Sequence, residues 1–276
     1  MITKGEAVAD EVMVPAPSTA PSALSSAVGD SGPLPRVGED AGVANLASLY
    51  SQLCGVLAGF AFAGLAIYLN ASQLPAQAAA VSVSLFTAFA ALVIVSVLYA
   101  LLSGESSRVA TRRTDTSLLL YGLPFGLSII TMFYALTLMA VERPELAGMV
   151  GVGKFLVVVA TPTILLGRLN IAAIDIAADH GRWKPHQLGW VLLILYPIVA
   201  AFILNWSSLT AYVDATAGSV PGYIGLGSAV LAAVVSPIIS TRPPGYRLRP
   251  GWVASYLTLS FVAVVTYSVL AVAALA

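Results

Sequence analysis

Residues 78–102 read AAAVSVSLFTAFAALVIVSVLYALL and contain no charged side chain. A helix of about 20 predominantly apolar residues crosses a hydrocarbon core about 30 Å thick. Backbone groups in lipid must be hydrogen-bonded within their own segment, so an isolated stretch of this kind is a helix. A transmembrane β-barrel would show alternating strands of about ten residues, and the sequence has no such pattern. This stretch therefore predicts a transmembrane α-helix.

The rest of the chain has the same character. Hydrophobic residues make up 58% of the chain and charged residues 9%, and the mean hydropathy is +0.90. Soluble domains carry roughly 25% charged residues. Apolar stretches of similar length recur, and the predicted spans are 48–69, 78–102, 118–141, 148–168, 188–206, 222–240 and 252–275. These patterns predict an all-α fold, a polytopic membrane helix bundle with about seven transmembrane helices in the cell membrane.

Residues 1–45 differ in composition from everything that follows. They are rich in Pro, Ala, Ser and Gly and contain no apolar run. Such a composition buries too little apolar surface to offset the entropy of ordering the chain. We expect a disordered cytoplasmic tail over residues 1–45 and a seven-helix transmembrane domain over residues 46–276. No basic segment precedes an apolar stretch in the tail, so the first span is expected to serve as the targeting signal.

Composition and missing motifs disfavour several classes of protein. A net charge of zero gives no electrostatic basis for binding nucleic acid. Cys54 is the only cysteine, so no intrachain disulfide can form. Paired-histidine helix motifs, Gly-rich phosphate loops and Ser nucleophile elbows are missing, so no cofactor is indicated and a non-enzymatic role is favoured. The excess of Arg over Lys, with abundant Ala and Val, is typical of GC-rich genomes and favours a bacterial inner membrane.

Small residues recur at four-residue spacing in two of the predicted spans. Gly55 and Gly59 lie on one face of the first span, and Gly122 and Gly126 lie on one face of the third. This spacing lets helix backbones approach closely. The partner helix belongs either to the same bundle or to another chain. Each pair therefore predicts internal packing or, alternatively, the interface of a homo-oligomer or a larger membrane complex.

Prolines interrupt four consecutive spans. One proline lies in each of spans three to six: Pro124, Pro162, Pro197 and Pro237. Each removes a backbone donor and leaves a carbonyl available to an ion, a water or a neighbouring side chain. Thr161, Thr163 and Ser236 place hydroxyls beside these breaks, which makes them candidate binding residues of a transporter or channel. The alternative is that the prolines only shape their helices.

Lys154 is the one charge that falls clearly inside a predicted span, about two turns from the outer end of the fourth. An intramembrane charge is costly and is by default a functional hypothesis. Glu142 and Glu145 precede the lysine in the short outer loop and are its candidate partners. Alternatively, Lys154 snorkels to the outer headgroups. We favour a pair with Glu142, which makes both residues candidate binding residues.

The inward loop 168–187, RLNIAAIDIAADHGRWKPHQ, is the most polar region of the membrane domain. Its first half is expected to extend the fourth span as a helix that ends near Gly181. Asp175 and Asp179 then lie one turn apart, with His180 adjacent and His186 after the turn. Two carboxylates at this spacing can hold Mg²⁺ for a pyrophosphate substrate. The alternative is a solvated helix end of mixed charge, so the sequence leaves a metal site undecided.

Two functions are favoured by these features, and a membrane enzyme that acts at the inner loop is a third. A small-solute or ion transporter or channel would use the proline-broken helices and Lys154. A non-catalytic membrane scaffold, sensor or accessory subunit would account for the scarcity of polar residues within the spans. Transport needs a polar path through the bundle, so convergence of the hydroxyls on one cavity with Lys154 would favour it. Tight packing of those hydroxyls would favour the scaffold.

The distribution of basic residues predicts the orientation of the chain. All but two of the thirteen basic residues fall in the tail or in the loops after spans two, four and six. The exceptions are Arg143, in an outer loop, and Lys154. Basic residues collect on the cytoplasmic side of a membrane protein. The N-terminus is therefore expected in the cytoplasm and the C-terminus outside.

Reporter fusions after residue 110 and at the C-terminus test this orientation. A phosphatase that is active only outside the cytoplasm should be inactive at residue 110 and active at the C-terminus. The reason is that an odd number of predicted spans lies between the two fusion sites. Green fluorescent protein should give the reverse pattern. The same result at both positions would contradict the predicted orientation.

Overall fold

A computed structural model describes residues 37–70, 77–106, 113–141, 143–177, 185–205, 218–242 and 248–275. The predicted tail lies outside the described residues as far as residue 36. Within the described part of the chain, all regular secondary structure is helical. The elements are α1 (Val37–Leu69), α2 (Ala78–Ser106), α3 (Arg113–Val141), a 3₁₀ turn (Pro144–Leu146), α4 (Ala147–Phe155), a π-helical turn (Leu156–Ala160), α5 (Thr161–Ala177), α6 (Pro185–Asn205), α7 (Val220–Ser240) and α8 (Pro250–Ala274).

Seven helices in this part of the chain are long and apolar enough to cross a membrane. They correspond to α1, α2, α3, α6, α7 and α8, with α4, the π turn and α5 joined into one further span. The all-helical fold and its seven spans confirm the expectation from the sequence. The segments α1 and α2 are antiparallel neighbours, because Ser51 bonds to the Ser96 carbonyl at 3.0 Å and Ser103 to the Ala44 carbonyl at 3.1 Å.

The fourth span continues beyond its predicted end at residue 168 and stays helical to Ala177. The added turns are amphipathic, since Leu169, Ala173 and Ile176 are buried against the bundle at helical spacing. Packing of that apolar stripe stabilises the helix where hydropathy alone declines. The expected helical extension is confirmed through Ala177, and its proposed end near Gly181 lies outside the described residues.

Helix α3 lies at the centre of the bundle and is the most buried of the spans, whereas α1 is the least buried. On one side α3 packs against α2 and α7, and α1 packs along the far side of α2. On its other side α3 packs against α5, which in turn contacts α6 and α8. Buried apolar residues form one large cluster around α3, α5, α6 and α8 and a second around α1, α2, α3 and α7.

Glycines let the neighbouring helices come close to α3. At Gly122 an added Cβ would lie 3.0 Å from a Leu169 methyl group, and at Gly126 it would overlap Leu165. At Gly153 of α4 it would overlap the side chain of Thr137. The helices around α3 therefore pack at backbone-to-side-chain distances that only glycine permits.

A matched pair of substitutions tests this packing. Gly153→Ala is expected to lower the free energy of unfolding by about 1–3 kcal/mol, the usual range for overpacking a tight contact. The Thr137 hydroxyl is held on the Phe133 carbonyl at 2.7 Å, so the threonine cannot rotate away without losing that bond. Gly59→Ala should be tolerated, because nothing lies within 4 Å of its added Cβ. Thermal unfolding in detergent measures both; equal melting temperatures would contradict the close approach of α3 and α4.

Candidate functional site

The π-helical turn in the fourth span precedes Pro162, and its freed carbonyl has a side-chain partner. Proline lacks an N–H and its ring displaces the carbonyl four residues earlier, which here belongs to Val158. The Tyr196 hydroxyl of α6 donates to that carbonyl at 2.6 Å and lies 2.7 Å from the Ser268 hydroxyl of α8. Thr161 closes the π turn by donating its backbone N–H to the Leu156 carbonyl.

The same arrangement recurs at Pro124 in α3. The carbonyl displaced by this proline belongs to Leu120, and the Tyr256 hydroxyl of α8 donates to it at 3.0 Å. Ser128 donates to the Pro124 carbonyl one turn earlier, at 2.6 Å. At two of the four predicted breaks the freed carbonyl is therefore bonded by a tyrosine of a neighbouring helix.

Two of the three candidate hydroxyls beside the prolines are also engaged, and the Thr161 hydroxyl makes no hydrogen bond among the described residues. Thr163 donates to the Val159 carbonyl at 2.6 Å, within its own helix. Ser236, next to Pro237 in α7, is hydrogen-bonded to the Tyr121 hydroxyl of α3. The structure does not bring Thr163 and Ser236 together, because one belongs to α5 and the other bonds across the opposite face of α3.

Two further tyrosines complete the polar contacts of α3. The Tyr267 hydroxyl donates to Thr131 Oγ1 at 3.0 Å, and Thr131 donates to the Leu127 carbonyl at 2.8 Å. The Tyr134 hydroxyl donates to the Gly218 carbonyl at 2.8 Å. The tyrosine hydroxyls thus join helices to each other, whereas the buried hydroxyls of Ser84 and Thr116 have no partner among the described residues.

Two cavities lie among the described helices, and both have mainly apolar walls. One of about 260 Å³ lies between α3, α7 and α8 and is walled by residues such as Leu119, Ile239 and Trp252. The other, of about 370 Å³, lies between α3 and α4 and is walled by residues such as Leu136 and Met149. A buried water needs two to four polar partners. Neither cavity offers a continuous polar path.

Lys154 lies in the last turn of α4 and is partly exposed. The part of the chain that the structure describes, which includes Glu145, places no carboxylate within ion-pair distance of its ammonium. Glu142 lies outside the described residues, so its pairing with Lys154 stays a prediction. Helical side chains lean toward the N-terminus of their helix, and for Lys154 that is the nearer end of the span. This direction suits snorkelling to the headgroups.

The acidic inner-loop candidates fall largely outside the described part of the chain. Asp179 and His180 lie beyond the described end of α5. Asp175 belongs to α5 and His186 to the first turn of α6, but the description does not extend to their side chains. Among the described residues, no group of three His, Cys, Asp or Glu could hold a metal ion. The Mg²⁺ site stays a prediction.

The two glycine pairs behave differently. Gly122 and Gly126 face Leu169 and Leu165 of α5, which is internal packing. Gly55 and Gly59 have no neighbouring atom within 4 Å of an added Cβ, and both are exposed. The same four-residue spacing thus marks a packed face in α3 and an open face in α1.

Arg168 forms a site that the sequence analysis missed. It was assigned to the loop after the fourth span, but the structure places it within the span Ala147–Ile174. Its guanidinium carbon lies 3.6 Å from the ring centroid of Tyr50, 5.8 Å from that of Tyr99 and 5.1 Å from that of Phe125. Nη2 also donates to the Tyr99 hydroxyl at 2.9 Å.

We call Arg168 and the rings of Tyr50, Tyr99 and Phe125 the arginine cage. It is a second charged site within a candidate membrane span, in addition to Lys154. Rings from α1, α2 and α3 surround a cation from α5. Such contacts are worth about 0.5–1 kcal/mol at exposed sites and about 2 kcal/mol or more when desolvated. Tyr50 and Tyr99 also stack against each other, with ring centroids 5.4 Å apart. The helix past residue 168 was expected, but the sequence gives no signal that rings of α1, α2 and α3 meet Arg168.

No protein-family model, no curated protein and no solved structure matches this chain. The fold defines the class of protein, a multi-pass integral membrane protein built as a bundle of seven apolar helices within the described residues. Its distinguishing features are the tyrosine-bonded proline breaks and the arginine cage.

A double-mutant cycle tests the pairing of Lys154 with Glu142. If the two form a partly buried pair, Lys154→Leu and Glu142→Gln should each destabilise, and their combination should be non-additive by about 0.5–3 kcal/mol. The same cycle with Glu145→Gln is the matched control and should be additive, because Glu145 makes no ion pair with Lys154. Thermal unfolding measures all variants. Strict additivity with Glu142→Gln would end the pairing hypothesis.

Proposed function

We propose that this protein is a non-catalytic membrane scaffold or accessory subunit, and that it does not carry solutes or ions across the bilayer. The observation that carries the proposal is that five buried or half-buried tyrosine hydroxyls around α3 are hydrogen-bonded to other hydroxyls or to backbone carbonyls. The buried hydroxyls of Ser84 and Thr116 are exceptions, with no partner among the described residues. A transport path needs polar groups that face a shared, hydrated space. The hydroxyls of Tyr267, Thr131 and Tyr134 are instead used to join α3 to α8 and to Gly218.

The proline breaks support the same proposal. A discontinuous helix serves transport when its free backbone groups bind the substrate or the coupling ion. At Pro162 and Pro124 the freed carbonyls of Val158 and Leu120 already accept tyrosine hydroxyls. An ion would have to compete with those hydroxyls for the carbonyl oxygens, and each displaced hydroxyl would lose a hydrogen bond in a low-dielectric interior, which is costly. These breaks therefore favour a fixed structure.

The charged residues are also poorly placed for a common path. Lys154 lies in α4 near one end of the bundle, and Arg168 lies near the other end against the rings of α1, α2 and α3. The larger cavity is next to α4, but Lys154 is not part of its wall. The hydroxyls between these two positions do not connect them through an open space.

The outer surface of α1 suits a scaffold. Gly55 and Gly59 leave a shallow face there, flanked by exposed side chains such as Val56 and Phe60. A transmembrane helix of another chain could approach this face closely, because small residues at four-residue spacing allow backbone contact. The function proposed here uses that face to hold a membrane partner.

Thiol accessibility tests the absence of a polar path without knowledge of any solute. In a Cys54→Ala background, Ser128→Cys and Thr131→Cys place a thiol at two buried positions of α3. A charged, membrane-impermeant methanethiosulfonate should not modify either thiol from either side, because only a hydrated thiol ionises and reacts. Arg249→Cys, at an exposed position, is the control and should react fully.

Modification of the buried thiols at a rate near that of Arg249→Cys would reveal a hydrated path through the bundle. The scaffold proposal would then fail, and the transporter would become the better reading. If that path involves the residues named from the sequence, adding Lys154→Leu should change the rate of modification.

A further inference from the structure

We propose that Arg168 binds the phosphate group of an anionic ligand in the leaflet at the end of the bundle where α1 begins and α5 ends. The proposed scaffold role does not require such a site, so the two proposals stand independently. The ligand is either a phospholipid or a soluble phosphate compound that enters between the helices. Both present the same chemistry to the guanidinium.

The charge of Arg168 has no acidic partner among the described residues. The only hydrogen-bond acceptor that it contacts there is the Tyr99 hydroxyl. The residue precedes Ile174, the end of its span, by about 9 Å of helix rise at 1.5 Å per residue. A cation at such depth is expensive unless a counter-charge or water accompanies it. The aromatic rings offset part of that cost but leave the positive charge uncancelled.

The geometry of the cage leaves the donors of the guanidinium available. Aromatic rings contact its flat face, and the Tyr50 ring centroid lies only 3.6 Å from Cζ. The five N–H donors of an arginine point outward in the plane of the group. One of them bonds to Tyr99. The others remain free, within the described residues, for a bidentate acceptor approaching along the edge.

An anion can reach this edge because α1 and α5 do not pack along each other. Helix α1 packs along α2 and touches α3 only slightly, whereas α5 packs on α3 from the other side. The Arg168 side chain extends between α1 and α5 and remains partly exposed. The ring centroid of Phe125 in α3 lies 5.1 Å from the guanidinium carbon.

Phosphate is an anion that fits this environment and that a membrane surface supplies. The planar fork of arginine matches two phosphate oxygens, and charge-assisted bonds of this kind are about twice as strong as neutral ones. Among the described residues, Arg242 and Arg249 are exposed at the same end of the bundle. Clusters of basic residues attract anionic headgroups to a membrane surface. A phospholipid can place its phosphate below that surface because its acyl chains stay in the bilayer. A soluble phosphate compound would have to enter through the gap between α1 and α5.

Arginine-selective ¹⁵N–¹H spectroscopy of the full chain in dodecyl maltoside, which contains no phosphate, tests the proposal directly. The Nε–H signal of Arg168 is assigned by its loss in Arg168→Lys. Titration with phosphatidylglycerol should shift this signal in a saturable way. The signals of Arg242 and Arg249, which are exposed at the same end, should move far less. Native mass spectrometry should show at least a five-fold loss of retained phosphatidylglycerol in Arg168→Gln and little loss in Arg249→Gln.

Inorganic phosphate separates the two sources of the ligand. A shift of the Arg168 signal with phosphatidylglycerol, but not with inorganic phosphate, identifies a lipid site. A saturable shift with inorganic phosphate alone identifies a soluble ligand. Either outcome supports the proposal. Absence of a shift with both probes, or equal shifts of Arg168, Arg242 and Arg249, would overturn it. Because the spectroscopic test uses the wild-type chain, a folding defect in Arg168→Gln cannot decide the result.

Discussion

In a hydrocarbon interior, each backbone carbonyl without a hydrogen bond costs several kcal/mol, and this constraint organises the bundle. Pro124 and Pro162 each break a backbone bond inside a span. The hydroxyls of Tyr256 and Tyr196 donate to the carbonyls of Leu120 and Val158 from neighbouring helices. Each proline therefore fixes which helix must lie beside it, because only a helix that carries a suitably placed donor can cover the break. These bonds connect α3 with α8 and the fourth span with α6.

The central position of α3 is related to the same need to hydrogen-bond buried polar groups. Its hydroxyl-bearing residues meet partners on α7 and α8, and its glycines admit α5 at close range. Close packing and paired hydroxyls leave mainly apolar cavities. A bundle built in this way resists hydration of its centre. Its least covered helix, α1, leaves small residues facing outward, and the proposed scaffold role uses this face.

The direction in which helical side chains lean gives the two intramembrane cations different surroundings. Side chains lean toward the N-terminus of their helix, and both Lys154 and Arg168 belong to the fourth span. For Lys154 that direction leads to the nearer membrane surface, where solvent and headgroups can neutralise its charge. For Arg168 it leads away from the nearer surface, and aromatic rings hold the guanidinium instead. The arginine thus stays at a depth where a bound anion would lower its energy most.

The sequence by itself determined the fold class and the number of spans, because the need to match a run of apolar residues to the bilayer is local to each segment. It also indicated that proline carbonyls would need partners. Only the tertiary structure decided that those partners are tyrosines, since residues such as Pro162 and Tyr196 meet through packing between helices. For the same reason, identical glycine spacing became an internal contact at Gly122 and an open face at Gly55. Arg168 was assigned to the inner loop because hydropathy falls there, although the helix itself was expected to continue. Only packing between helices brought three distant rings around its charge.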